Sequence, residues 1–474
     1  MLNRNVTPRR SQGLLRRRAL GLVAVAAVLP LAACNLDEAL QVENPYVVTP
    51  GVARDTINLP TTYAGARARF ATALSGRYNR EGGLIMQTAT LTDEMISTDG
   101  FGTRNAIDRR AVGESNAAAY DPYQYLQRAR AEAVNAAVLF AETSQSGSVE
   151  HANLYNIVGF SELLMAEAYC SGVPLSLVDV NGEFQNGAQQ TTEQLLDSAV
   201  VAFQQALTMA GSNPAYADEA NLARIGIARA RMFMGRYAEA AAMAAQVPST
   251  FRYIIGYDAA TQETSNVIEQ MGNGEKRWGV VDREGVNGLD FLSARDPRVP
   301  WGSAGGTLYG NDGNGADGGV TGPHYSQLKY PARGSDVLLA SGMEARYIEA
   351  EAALKANNIG VFTTQLNAAR AAGTIARDAV VTLPALSDAE IGTNATSRAR
   401  TLFRERAFSL WLTAHRVGDL RRMQRHFGFT QDQIWPIGSD KRGNQYGDDV
   451  SMDIPLEERN NPLFTGCLAP PSQA

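Results

Sequence analysis

Ala228-Arg-Ala-Arg-Met-Phe-Met-Gly235-Arg-Tyr237-Ala-Glu-Ala240 carries the clearest signature of this chain's architecture. It spells a helix, a tight turn at Gly235 and a second helix. Small Gly235 and Ala240 beside aromatic Tyr237 let two antiparallel helices approach closely. On either side of it the chain from Thr61 to Val247 reads as almost wholly helical. Asp121-Pro122 supplies an N-cap and a first-turn proline before Tyr123–Glu142, and Tyr120, Tyr123 and Tyr125 read as packing residues at that helix start. Thr191 and Gln194 make a capping box. Behind it Leu195, Leu196, Ala199, Val200, Phe203, Ala206 and Leu207 recur at helical spacing. Two further helical stretches follow at Met343–Asn357 and Arg398–Phe427.

The helix-pair pattern resembles the tetratricopeptide repeat, although that repeat's period of about 34 residues is blurred. The expected fold is mainly α, a tetratricopeptide-like helical superhelix interrupted by one long irregular, loop-rich insert. That insert spans about residues 249–342, where helical periodicity fails and Gly, Asn, Asp and Pro accumulate. Gly310-Asn-Asp-Gly-Asn-Gly-Ala-Asp-Gly-Gly319 within it is too glycine-rich for a stable helix or strand. Trp278, Phe291, Trp301, Tyr309, Tyr325 and Tyr330 lie in the same segment. Long loops that carry aromatics on a rigid scaffold are where ligands usually bind.

The N-terminus gives an address. Arg9, Arg10, Arg16, Arg17 and Arg18 precede a small-and-aliphatic run from Ala19 to Leu31, the order of a secretory signal. A helix of that run spans about 20 Å, short of a bilayer core of roughly 30 Å. Leu31-Ala32-Ala33-Cys34 looks like a bacterial lipoprotein box, in which the thiol of Cys34 is acylated (palmitate or a similar chain) and becomes the new N-terminus. The expected organisation is a signal peptide over 1–33, removed on export, a tether over 34–60, and a single helical domain over 61–474. Asp37 and Glu38 resemble the acidic tether that sends some lipoproteins to the cell surface.

The signal holds six arginines and no acid, so its removal takes the net charge from −6 to −12. A chain that acidic argues against binding nucleic-acid phosphates. After Cys34 only Cys170 and Cys467 remain, and in an oxidising compartment two leftover cysteines suggest one disulfide.

Several motifs resemble the SusD/RagB family of outer-membrane nutrient-binding lipoproteins. They are Ala166-Glu-Ala-Tyr169-Cys170-Ser-Gly172-Val-Pro174-Leu175, Met343–Ala352, Glu405-Arg406 with His415-Arg416 and Asp419-Leu420-Arg421-Arg422, and Ile454-Pro455-Leu-Glu457 with Asn460-Asn461-Pro462. Their order covers most of the exported chain. Ser409 and Thr413 stand where the family helix carries glutamates, Ala414 replaces its glycine, and Cys170 replaces an aromatic or polar residue. The resemblance implies a surface lipoprotein of the outer membrane that binds a nutrient, classically a glycan. It would deliver this ligand to a TonB-dependent, SusC-like barrel, with no bond made or broken and no cofactor. Glu405, Arg406, Arg416 and Asp419 are expected to tie their helix to its neighbours, Arg416 and Asp419 standing at i, i+3. A helical-repeat lipoprotein that binds only proteins in envelope assembly is the alternative reading.

No nucleophile elbow, P-loop or HExxH occurs, and His151, His324, His415 and His426 do not form a metal pair. Asp312-Gly-Asn314-Gly-Ala-Asp317-Gly318 misses the spacing of a calcium loop and lacks its bidentate Glu. A sugar binder needs aromatic platforms for flat C–H faces, with polar neighbours for hydroxyls. The candidates are Trp278 beside Lys276-Arg277, Trp301 beside Arg298, Tyr309, and Phe101 with Asp99 and Arg104.

Overall fold

The computed structural model describes residues 58–303 and 323–473, all within one unit of the chain. The signal, Cys34, the tether up to residue 57, Tyr309 and the Asp312–Gly318 run, all read from sequence above, lie outside those residues.

Among the described residues the first eight α-helices follow in order as α1 (Leu59–Ser75), α2 (Leu84–Leu91), α3 (Gly102–Asp108), α4 (Ala117–Ala141), α5 (Val149–Ala168), α6 (Thr192–Ala210), α7 (Ala217–Phe233) and α8 (Tyr237–Ala244). After the insert come α9 (Gly342–Lys355), α10 (Ile359–Ala372), α11 (Ala395–Ser409) and α12 (Arg416–Phe427). Most neighbours in sequence are neighbours in space: α4 packs on α5, α5 on α6, α6 on α7, α7 on α8, and α9 on α10. Among the described residues, no helix is long and apolar enough to cross a membrane.

Local chemistry sets these boundaries. Gly235 adopts φ +79° in the turn between α7 and α8, a conformation that costs glycine nothing. Thr191 and Gln194 form both arms of a capping box at the start of α6. Phe203 of α6 is fully buried between two helical glycines, Gly159 of α5 and Gly226 of α7. A Cβ at either glycine would lie 2.6 Å or 2.3 Å from the ring, so the missing side chains are what let three helices share one aromatic.

Three expectations change. The α4 cap is Asn116, whose Oδ1 accepts from Ala118 and Ala119 N–H, so Asp121-Pro122 falls inside the helix. Asp121 instead accepts the backbone N–H of Glu81 at 2.9 Å. The stretch 61–247 is less purely helical than its composition suggests, since a strand at Met95–Ser97 and two nested antiparallel pairs within 173–190 interrupt it. Arg398–Phe427 is two helices, because Leu412 and Ala414 take φ +53° and +60° and break the helix between Ser409 and Arg416. Ala414, the residue that replaces a glycine, thus occupies a left-handed position that glycine would fill without strain.

The insert is built on short antiparallel pairings. Strands β1 (Met95–Ser97), β2 (Arg252–Ile255), β3 (Trp278–Val280), β4 (Trp301–Ser303), β5 (Tyr325–Gln327) and β6 (Val337–Ser341) pair as β1–β3, β2–β6 and β4–β5. The β2–β6 pair closes the insert at its base. Through β1–β3, with Ser97 opposite Trp278, the insert is stitched to the loop after α2.

A second stitch is electrostatic. Arg406 bonds Asp419 through two nitrogens at 2.9 and 2.8 Å, Arg422 grips Glu351 at 2.9 and 3.0 Å, and Arg416 grips Asp93 at 2.7 and 2.9 Å. Glu405 receives Arg298 and Arg370, while His415 lies 3.0 Å from Glu344. All are buried or nearly so. Burial alone would push the Asp419 carboxyl up, yet Arg406 and Arg422 together hold it well below the usual carboxylate range. On α12 itself Asp419 pairs at i, i+3 with Arg422, while Arg416 reaches out to Asp93.

Candidate functional site

The loop Thr98–Phe101 connects β1 to α3 and carries the first cluster. Asp99 is buried, and its carboxylate accepts from Arg104, from Arg277 at 3.1 Å and from the Phe101 N–H at 2.7 Å. Arg442 holds the loop from beneath, donating to the Ser97 and Asp99 carbonyls at 2.7 and 3.1 Å. Phe101 itself stands outward, 44% exposed. The guanidinium carbons of Arg104 and Arg277 lie 4.9 and 5.3 Å from its ring centroid. An exposed aromatic with two cations held over its ring combines apolar area with fixed positive charge, a surface that suits a ligand with both polar and apolar parts.

Trp278 corrects the sequence reading. It is fully buried, with the Arg104 guanidinium 5.3 Å from its ring, and so it is not a platform. The cause is the β1–β3 pairing, which turns the indole inward, and Gly82, at φ +106°, where a Cβ would lie 2.9 Å from the ring. Trp278 supports Arg104, and Arg104 supports Phe101. The buried run Trp278-Gly-Val-Val281 was the signal for this, since a short apolar run reads as a buried strand.

The second cluster is Trp301, half-buried on β4. Its edge partner is Tyr325 on β5, 5.0 Å between centroids, and Arg295 lies 4.3 Å over its ring. Arg298, its neighbour in sequence, turns into the core to bind Asp296 and Glu405. Sequence reasoning named Trp301 but missed Arg295 and the pairing with Tyr325. Strand β5 packs against β3, and His324, just before it, lies 3.1 Å from the Trp278 carbonyl. The insert thus places both clusters on neighbouring pairs of short strands. Phe291 and Tyr330, by contrast, are core residues.

Cys170 and Cys467 are disulfide-bonded, their Cα atoms 5.9 Å apart. The bond joins the end of α5 to the C-terminal segment, which also pairs through Leu468 N–H to the Ser171 carbonyl.

No family model matches this sequence, and no curated protein does. Solved structures do. A SusD-like carbohydrate binding protein from Bacteroides fragilis aligns over 87% of this chain and 99% of its own at 14% identity, with a TM-score of 0.61. A SusD homolog from Bacteroides thetaiotaomicron aligns over 89% and 99% at 12% identity, also with a TM-score of 0.61. A SusD superfamily protein from Bacteroides vulgatus aligns over 87% and 99% at 15% identity, with a TM-score of 0.57. The class this defines is a mainly helical, tetratricopeptide-like protein with an inserted irregular region. More particularly, the chain has the SusD-like fold along nearly the whole length of those neighbours.

Proposed function

We propose that this protein is a surface-exposed outer-membrane lipoprotein that binds a glycan and delivers it to a TonB-dependent, SusC-like barrel, without catalysing a reaction. The observation that carries the reading is a SusD-like fold presenting an exposed Phe101 rigidly framed by Arg104 and Arg277. Two of the similar structures bear the description "SusD-like carbohydrate binding protein", which favours a sugar ligand. Trp301 with Arg295 and Tyr325 offers a second aromatic contact, and the Leu-Ala-Ala-Cys34 signal supports acylation and export. Two lipid chains on Cys34 would hold the protein stably at a membrane.

A glycan array probed with the chain lacking its first 34 residues is the direct test. Once a ligand is in hand, Phe101→Ala and Trp301→Ala should each weaken calorimetric binding by about 0.5–1.5 kcal/mol beyond the lost area. Unchanged affinity in both variants would remove this surface from the site. A protein captured in place of any glycan would instead favour the envelope scaffold. For the anchor, Cys34→Ala should leave the membrane fraction in cells that lack the barrel.

A further inference from the structure

A second recess, sharing no residue with the aromatic surface, opens between α1, α5, α7 and the β2–β6 pair, with a volume of about 240 Å³. Its walls are apolar: Phe70, Ile157, Phe160, Leu222, Ile255 and Leu339. At one end lies a closed polar network. Glu219 accepts from Asn153 Nδ2 at 2.8 Å, from Asn156 Nδ2 at 2.8 Å and from the Tyr253 hydroxyl at 3.1 Å, and its backbone carbonyl also accepts from Asn156 Nδ2. Tyr63 donates to Asn153 Oδ1 at 3.1 Å.

This network fixes which way Asn156 faces. Both of its short contacts are to oxygens of Glu219, so the amide nitrogen must point there and Oδ1 must point away. Asn156 is fully buried, it lines the recess, and its Oδ1 has no partner among the described residues. A buried amide oxygen demands a donor. Asn153 and Tyr253 have already spent their polar atoms on Glu219 and on each other, and Arg67 at the mouth is exposed.

We infer that this recess binds a compact single-ring molecule bearing one hydroxyl or N–H donor, of the phenol or indole class, with the donor on Asn156 Oδ1. A sugar does not suit it, because most of its hydroxyls would face aliphatic and aromatic walls without partners. The volume is below that of pockets for drug-sized ligands, which sets the limit at about one ring system. The site is independent of the glycan reading, and its failure would leave that reading intact.

The test is titration of the folded protein with p-cresol and, separately, with toluene, followed by ligand-observed NMR and calorimetry. Cresol should bind at least about 10-fold more tightly, since toluene has the shape but leaves the acceptor unpaired. Ala68→Trp, an exposed α1 position at the recess wall, should abolish cresol binding without touching the polar network. Equal affinity for the two probes would overturn the role of Asn156. Cresol binding that survives Ala68→Trp, or none at millimolar concentration in the unaltered protein, would overturn the site.

Discussion

Gly226→Ala is expected to destabilise the protein, although glycine-to-alanine in a helix normally does the reverse. The propensity gain is about 1 kcal/mol in favour of alanine. Against it stands the Phe203 ring, whose Cζ, Cε1 and Cε2 would lie 2.3, 2.5 and 2.5 Å from the new methyl group. Relief requires the ring to move by about an ångström, since ordinary carbon contacts begin near 3.5 Å. The ring has nowhere to go: it is fully buried, Gly159 closes its far side, and Phe160 packs edge-on at 5.0 Å. Overpacking of this kind costs roughly 1–3 kcal/mol, occasionally more. The net loss should be up to about 2 kcal/mol, or beyond it if α7 shifts. Gly65→Ala is the internal control, because that α1 position is exposed and has nothing within 4 Å of a built Cβ. It should gain up to about 1 kcal/mol by the same propensity. Urea denaturation followed by circular dichroism separates the two. If both alanine variants are stabilised alike, the three-helix wedge is wrong. Adding Phe203→Leu to Gly226→Ala should recover part of the loss, a coupling expected at about 0.5–3 kcal/mol for residues in contact.

Other expectations concern the buried charges and the disulfide. Burial pushes the Glu162 carboxyl up to about 7, against the pull of Arg130, so the folded protein holds that proton at pH values where the unfolded chain has lost it. This contribution is present below about pH 4.5 and lost as pH rises through about 7. Thermal melts of Glu162→Gln against the unaltered protein should therefore diverge in the variant's favour between pH 5 and 8, and a gap that shrinks would reverse the assignment. Arg422→Met leaves Glu351 and Asp419 short of a buried partner and should cost about 3–5 kcal/mol, whereas Arg422→Met with Glu351→Leu should recover much of it in the same denaturation assay. Cys467→Ser frees a loop whose ends are 297 residues apart, with an upper bound of roughly 6 kcal/mol on the loss from chain entropy. Two alkylated thiols in the unreduced exported protein, read by intact mass, would contradict the bond.

What could be read from sequence is whatever is local and periodic. The turn at Gly235, the Thr191–Gln194 capping box and the apolar face of α6 each depend on residues within a few positions of one another. The misreadings share a different cause. Asp121 looked like a cap because it precedes a proline, but its carboxylate is claimed by Glu81 N–H, 40 residues back. The break before Arg416 depends on two left-handed residues, Leu412 and Ala414, that have no helix-breaking composition. They are held there by distant partners: the Leu412 N–H donates to Glu94 at 3.1 Å and its carbonyl accepts from Tyr330. At the candidate site Phe101, Asp99 and Arg104 were legible because they sit in one short loop. Tyr325 was not, since its link to Trp301 exists only through strand pairing across the insert, and Arg295 was not, since it reaches the ring from a left-handed turn position at φ +52°.

The charged motif of α11 and α12 and the candidate surface are parts of one construction. Asp93, just before β1, takes both nitrogens of Arg416 and also the Leu289 N–H of the insert at 2.9 Å. Strand β1 then runs three residues to Ser97, where its pairing with Trp278 ends and Arg442 takes hold of the loop. Asp99, Phe101 and Arg104 follow within seven residues of that point. The helix break at 410–415 therefore bears on the candidate surface: it turns Arg416 toward Asp93, and a continuous helix would set that guanidinium on another face. A bidentate guanidinium–carboxylate pair is planar and accepts few placements, so it fixes position even where its net energy is small. Buried ion pairs away from Phe101 thus orient the loop that presents it. That is a physical reason for arginines and carboxylates to occupy a core where apolar side chains could supply the stability.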